Sequence, residues 1–313
     1  MFLGEKKDPR KTFGAAVAAV AEKDERIVVL SADSGGSSGF GAFAKAHPER
    51  YFEFGIMEQG VTGVASGLAT TGKIPVFCAI APFVTCRNYE MFRNDLGYMR
   101  QNAKIVGRNG GFTYSDLGAT HHSLEDFAIM RMIPGVVVLC PQSPKEIEKA
   151  SEAMLKHEGP VYMRIGNPPM PEIHENDVDF EIGKGFTLRE GTDLAIISTG
   201  GATVDVLLAA EKLAEQGISV RVIGMPTVCP IDAEAVLAAA KDIGRIMTVE
   251  EHYVHGGLGT MVAEVCAENN PVPVKMHGVP KEYATSGSYD ELKTYYKLDA
   301  DGIAETALKF LGK

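Results

Sequence analysis

Positive charge is in short supply in this chain. Its 31 Lys and Arg face 41 Asp and Glu, a formal charge of -10. A general nucleic-acid binder concentrates cations to displace the counterions of phosphates, so that class is excluded. Long apolar runs are also missing. No window holds the roughly 18 uninterrupted apolar residues of a membrane-crossing helix, and no membrane partner is expected. The opening residues, Met1-Phe2-Leu3-Gly4-Glu5-Lys6-Lys7-Asp8, lack the apolar stretch of a signal peptide. Cysteines are few, odd in number and scattered: Cys78, Cys86, Cys140, Cys229 and Cys266. Their spacing suits no metal site and suggests free thiols in a reducing compartment, with cytoplasm as the expected location. What is present is enough for two domains with sizeable cores, since 313 residues carry 45% hydrophobic side chains.

Strand and helix patterns alternate, which predicts an α/β fold with a mainly parallel sheet. Helical spacing over 11–21 precedes a buried-strand run over 26–30. A short strand over 52–55 leads into a helix of small residues over 62–70. Strands follow over 75–80, 104–106 and 135–139, with helices over 84–99 and 143–157. Ser143 is a plausible N-cap, with Glu146 three residues on. Composition shifts at Gly166-Asn167-Pro168-Pro169-Met170-Pro171, and an acidic, poorly periodic stretch follows. The expected division is a first domain over 1–170, a linker over 171–187 and a smaller α/β domain over 188–313. In the second domain, strands are expected over 194–198, 219–223 and 245–249, and helices over 203–215, 233–240, 259–268 and 301–311.

Two glycine-rich signals carry little. Gly67-Leu68-Ala69-Thr70-Thr71-Gly72-Lys73-Ile74 nearly spells a phosphate-binding loop. It has Ile74 in place of the required hydroxyl, and it runs from helix to strand. Gly36-Ser37-Ser38-Gly39-Phe40-Gly41 lacks dinucleotide spacing and reads as a crossing loop. The informative run is Phe54-Gly55-Ile56-Met57-Glu58-Gln59-Gly60-Val61-Thr62-Gly63. It sets one carboxylate, Glu58, where a strand gives way to a small-residue helix. Such an acid either enjoys the positive end of the helix dipole or is buried against a flat nitrogen heterocycle. Phe83 suits a core aromatic at a strand end or a stacking surface. The adjacent His121 and His122 point in different directions, so a metal clamp is disfavoured against a loop-bracing His. Asp33 can open an Asx-turn. Glu250-Glu251-His252-Tyr253-Val254-His255-Gly256-Gly257 reads as a domain-contact loop after its strand.

These residues carry a resemblance. Ser31-Ala32-Asp33, the Phe54–Gln59 run, Thr120-His121-His122 and Leu298-Asp299-Ala300-Asp301-Gly302-Ile303 occur in the order and at the distances of the transketolase family. The chain resembles only the pyrimidine-binding and C-terminal domains of a transketolase, as in the C-terminal subunit of a split enzyme. 1-Deoxyxylulose-5-phosphate synthase is a close relative. The resemblance implies a thiamin-diphosphate-binding fold and transfer of a two-carbon ketol unit between sugar phosphates, with the cofactor carrying the hard chemistry.

By the same resemblance Glu58 hydrogen-bonds the cofactor's aminopyrimidine, Phe83 stacks on it, Asp33 lies near it and Tyr89 completes the pocket. His121 faces the donor ketose and assists proton movement. Arg10, Arg164, Ser37 and Asn109 lie toward the sugar phosphate, for which a guanidinium's planar fork is suited. Asn109 stands where long-chain transketolases have a phosphate-binding His. Leu117, beside Asp116, stands where an Asp reads donor stereochemistry. A shorter or modified sugar phosphate, or a sugar with another anion, is therefore among the expected donors. No Gly-Asp-Gly occurs, so the magnesium and diphosphate ligands are expected from a separate N-terminal subunit. An α2β2 heterotetramer with self-association of this chain is the expected assembly. The rival readings are the beta subunit of a 2-oxo-acid dehydrogenase, a 1-deoxyxylulose-5-phosphate synthase-like enzyme, and a non-catalytic relative.

Overall fold

The computed structural model describes residues 2–313. Its largest sheet has seven strands in the order Thr227–Cys229, Val137–Leu139, Val161–Arg164, Lys104–Arg108, Ile74–Ile80, Ile27–Ser31 and Tyr51–Glu53. All neighbours are parallel except Thr227–Cys229, which runs antiparallel to Val137–Leu139. The central strands read as continuous apolar runs because helices cover both faces. Phe13 and Val17 of the helix Pro9–Ala21 and Ile147 and Met154 of Pro144–Lys156 bury one face. Val61 and Ala65 of the helix Glu58–Thr70 join Phe92 and Phe127 on the other.

A second sheet of five strands has the order Val274–Val279, Ile246–Tyr253, Leu194–Ser198, Val220–Gly224 and Phe186–Arg189. Only Phe186–Arg189 is antiparallel. Helices Ala202–Glu215 and Ala300–Leu311 contribute to its core on one side, and Ala233–Asp242 and Leu258–Asn269 on the other. The α/β fold with mainly parallel sheets is as the alternation predicts. The two halves exchange material, because Thr227–Cys229 leaves the second half to edge the first sheet. A two-stranded pair, Lys6–Lys7 with Met170–Pro171, ties the first residues to the end of the first half.

Local chemistry sets several boundaries. Asp8 caps Pro9–Ala21 by accepting from the Arg10 and Lys11 N–H groups, with Pro9 at the first helical position. Ser143 accepts from the Glu146 N–H at 3.2 Å, as the cap pattern predicts. Glu146 reaches back one residue beyond the usual box, to the Gln142 N–H at 2.8 Å. The helix expected over 84–99 is divided into Ala81–Val84, a turn over 85–88, Tyr89–Met91 and a π-helical stretch Phe92–Tyr98. Thr85 bonds back to the Ala81 carbonyl and Asn88 bonds to Thr62, so side chains compete with the helical ladder there. The strand expected over 245–249 extends through Tyr253, which takes Glu250, Glu251 and His252 out of a loop and into the sheet.

Candidate active site at the carboxyl edge of the seven-stranded sheet

Parallel strands align their carboxyl ends along one edge, and the loops leaving that edge form the natural ligand crevice of an open α/β sheet. Asp33 follows Ile27–Ser31, Glu58 follows Tyr51–Glu53, Phe83 follows Ile74–Ile80, Asn109 follows Lys104–Arg108, and Arg164 ends Val161–Arg164. Topology therefore brings residues far apart in sequence to one edge.

Glu58 begins the helix Glu58–Thr70 and is 5% exposed. Its Oε2 accepts from Arg87 Nη1 at 2.9 Å. The Arg87 guanidinium carbon stands 3.7 Å from the centroid of the Phe83 ring. Phe83 meets His121 in a tilted, edge-type contact at 5.2 Å, and His121 meets Tyr114 at 5.7 Å. Thr120 Oγ1 lies 3.0 Å from His121 Nδ1 and orients the imidazole. A continuous run of contacts thus joins Glu58, Arg87, Phe83 and His121. Arg87, Tyr114 and the hydroxyl of Thr120 are the members that motif reading did not assign. Arg87 fell within a segment that reads as helix, where a lone Arg looks like surface.

Asp33 adopts φ 53° and is held by its own N–H, which donates to Glu53 Oε1 at 2.6 Å. The same carboxylate accepts from the Phe54 and Gly55 N–H groups, at 3.1 and 3.0 Å. Glu53 thereby shapes both the Asp33 loop and the turn into Glu58. Burial works to raise its pKa, but bonds from Ser31, Asp33 and Gly55 outweigh it and hold the pKa below the usual value. The loop over 34–40 packs on the first helix at a close approach. A Cβ on Gly14 would fall 2.1 Å from the Gly39 carbonyl oxygen, and Gly39 itself has φ +86°.

The remaining expected residues have other partners. Ser37 is exposed and donates to the Ser34 carbonyl at 3.0 Å. Arg10 lies along Asp8, donating through Nε at 3.1 Å and Nη2 at 2.9 Å. Tyr89 donates to the Ile129 carbonyl at 3.1 Å. Asn109 is buried with φ 59°; its Oδ1 accepts from Arg108 Nη1 at 2.7 Å, while Asn109 Nδ2 and Arg108 Nε have no partner. Arg164 is buried between the two halves. It donates to Asp126 Oδ1 at 3.0 Å and to the Glu251 carbonyl at 2.7 Å, and it covers the Phe127 ring at 4.2 Å. Burial disfavours its charge, but Asp126 beside it holds the guanidinium firmly protonated. Among the described residues, no hydrogen bond, ion pair or ring contact joins Arg10, Ser37, Tyr89, Asn109 or Arg164 to the Glu58–His121 run. His122 is buried, its Nε2 donating to the Ser115 carbonyl at 3.3 Å, and burial lowers its pKa.

The residues fit the pyrimidine end of thiamin diphosphate. A buried carboxylate has one oxygen, Oε1, to which no group of the described chain donates, and a half-buried aromatic stands beside it. Among the described residues no three or more His, Cys, Asp or Glu are grouped to hold a metal ion.

The fold and this edge define an α/β protein of the thiamin-diphosphate type. Residues 5–169 match the family described as "Transketolase, pyrimidine binding domain", and residues 183–303 match "Transketolase, C-terminal domain". The chain belongs to the transketolase family. It is 41% identical over 305 residues to an apulose-4-phosphate transketolase subunit of Phocaeicola vulgatus, covering 97% of each chain. It is 39% identical to a 6-deoxy-6-sulfo-D-fructose transketolase subunit of Clostridium sp. strain MSTE9, covering 95% of this chain and 92% of that one. A solved structure described as a split-gene transketolase in an inactive β4 tetramer superposes with a TM-score of 0.91. It is 38% identical, and the match covers 97% of this chain and 98% of that chain.

Proposed function

We propose that this chain is the pyrimidine-side subunit of a split transketolase, which moves a two-carbon ketol unit between sugar phosphates together with a separate diphosphate-binding subunit. The observation that carries this reading is the buried Glu58 carboxylate, with Oε1 unengaged, in one run of contacts with Phe83 and His121. Thiamin diphosphate, when bound, supplies the electron sink for the two-carbon unit. Glu58 holds a ring nitrogen of its aminopyrimidine, Phe83 offers the stacking face, and Asp33 borders the same crevice. His121, oriented by Thr120, faces the donor and moves a proton at its oxygen. Magnesium and the diphosphate fall to the partner subunit.

The donor is proposed to be a ketose with a terminal anion. One relative is named for a sugar phosphate and another for a sulfonated sugar. The buried Arg108–Asn109 pair, with Asn109 Nδ2 unpartnered, is the proposed anion-facing element at the crevice edge. Asn109 and Leu117 in place of the family's usual His and Asp support a donor other than the common long-chain ketoses. Ser37 borders the same region, and Arg10 and Arg164 steady the loops around it. An α2β2 assembly in the cytoplasm, with this chain self-associating, completes the reading. A screen of ketose phosphates, sulfonated ketoses and pyruvate against the reconstituted pair tests it. Ketol transfer that vanishes in Glu58→Ala is expected. Pyruvate turnover instead would favour the 2-oxo-acid dehydrogenase or deoxyxylulose-phosphate synthase branch, and undiminished activity in Glu58→Ala would remove the catalytic assignment.

A further inference from the structure

The turn over 85–88 is sewn to the start of the helix Glu58–Thr70 by three bonds. Gln59 Nε2 donates to the Arg87 carbonyl at 2.8 Å, Asn88 Nδ2 donates to Thr62 Oγ1, and Arg87 Nη1 donates to Glu58 Oε2 at 2.9 Å. The neighbour of the acid therefore fixes the backbone of the arginine that grips the acid. The same guanidinium lies over Phe83, 3.7 Å from the ring centroid. One cation touches both side chains that face the pyrimidine in the reading above, and the present inference rests on that reading.

A cation at this place needs a reason. A helix N-terminus carries partial positive charge and disfavours a nearby guanidinium. The turn is already held by Gln59 and Asn88, so bracing alone does not call for Arg87. Only an arginine joins a charge-assisted hydrogen bond to flat packing on an aromatic face; a lysine supplies the charge without the plane. The Arg87 side chain is 39% exposed while that of Glu58 is 6% exposed, so the arginine lies on the solvent side of the buried acid.

We propose that Arg87 is a positioning residue for the cofactor's pyrimidine. It holds the Glu58 carboxylate by Oε2, which leaves Oε1 for the ring nitrogen, and it fixes the tilt of the Phe83 ring.

The test uses this chain paired with its diphosphate-binding subunit, and compares Arg87→Ala, Arg87→Lys and Glu58→Ala. Thiamin diphosphate affinity is read by calorimetry, kcat by ketol transfer, and folding by thermal midpoint. Arg87→Ala is expected to weaken cofactor binding about tenfold and lower kcat about tenfold, the scale of losing one ion pair and one cation–π contact. Arg87→Lys is expected to recover most of kcat but not the affinity, because it restores charge without the plane. Millimolar guanidinium is expected to restore part of both in Arg87→Ala, with the thermal midpoint unmoved. The proposal is overturned if Arg87→Ala binds and turns over like the unaltered pair while Glu58→Ala is inactive. It is also overturned if Ala and Lys fail alike, with a lowered midpoint and no rescue by guanidinium. A fully active Glu58→Ala pair would sink the thiamin reading itself, and this inference with it.

Discussion

At Arg164 one buried guanidinium serves Asp126, the Glu251 carbonyl and the face of Phe127, while Asp126 also accepts from Tyr162 at 2.8 Å. Removing one partner of a buried pair strands the other. Arg164→Ala is therefore expected to cost about 3–5 kcal/mol in a urea titration, and a loss below about 1 kcal/mol would contradict the bracing role. Nearby, Glu250 receives the Leu258 and Gly259 N–H groups, both at 2.8 Å, yet burial still pushes its pKa up to about 7. An acid raised on folding contributes stability that is complete below its unfolded value, near 4.5, and is lost as pH rises through about 7. Buried His252, lowered to about 4, has the opposite sign: its contribution is complete above 6.5 and lost as pH falls through about 4. Glu250→Gln isolates the first effect. The stability of this variant relative to the unaltered chain is expected to rise between about pH 5 and pH 8, and a difference constant across that window would contradict it. Residue by residue, Glu58, Phe83 and His121 were singled out as candidates by the pattern their neighbours in sequence spell. Arg87 was not, because its meaning comes from what the turn brings it against. The partners of Arg164 come from Asp126 and Glu251, which no local pattern links to it.

Helices with strong caps and clear periodicity were read closely. Ser143 is the sharpest case, and Ser143→Ala is expected to cost about 1 kcal/mol of unfolding free energy, measurable as a midpoint shift. The expected helix over 84–99 failed because apolar spacing alone does not register that Thr85 and Asn88 spend their side chains on other partners. The strands Phe186–Arg189, Thr227–Cys229 and Val274–Val279 escaped notice because they lie at sheet edges. There one neighbour is absent, and the apolar run that marks a central strand is not required. The loop over 34–40 depends on the approach of Gly14 to the Gly39 carbonyl. Gly14→Ala is expected to displace that loop and lower thermal stability. An unchanged midpoint, together with unchanged cofactor affinity of the pair, would show that the approach is not needed.

On the scale of the whole molecule, a mainly parallel α/β fold was legible from alternating strands and helices. The exchange of Thr227–Cys229 into the first sheet was not, since it is a tertiary pairing between distant segments. That pairing and the Arg164 cluster join the halves and hold the crevice loops against a common frame. The crevice sets a buried carboxylate beside an aromatic, and the proposed function leaves the diphosphate and its magnesium to another subunit. Calorimetric titration of thiamin diphosphate with magnesium, into this chain alone and into its mixture with the diphosphate-binding subunit, tests that division most directly. The account predicts binding in the mixture only. Tight, magnesium-dependent binding by this chain alone would contradict it.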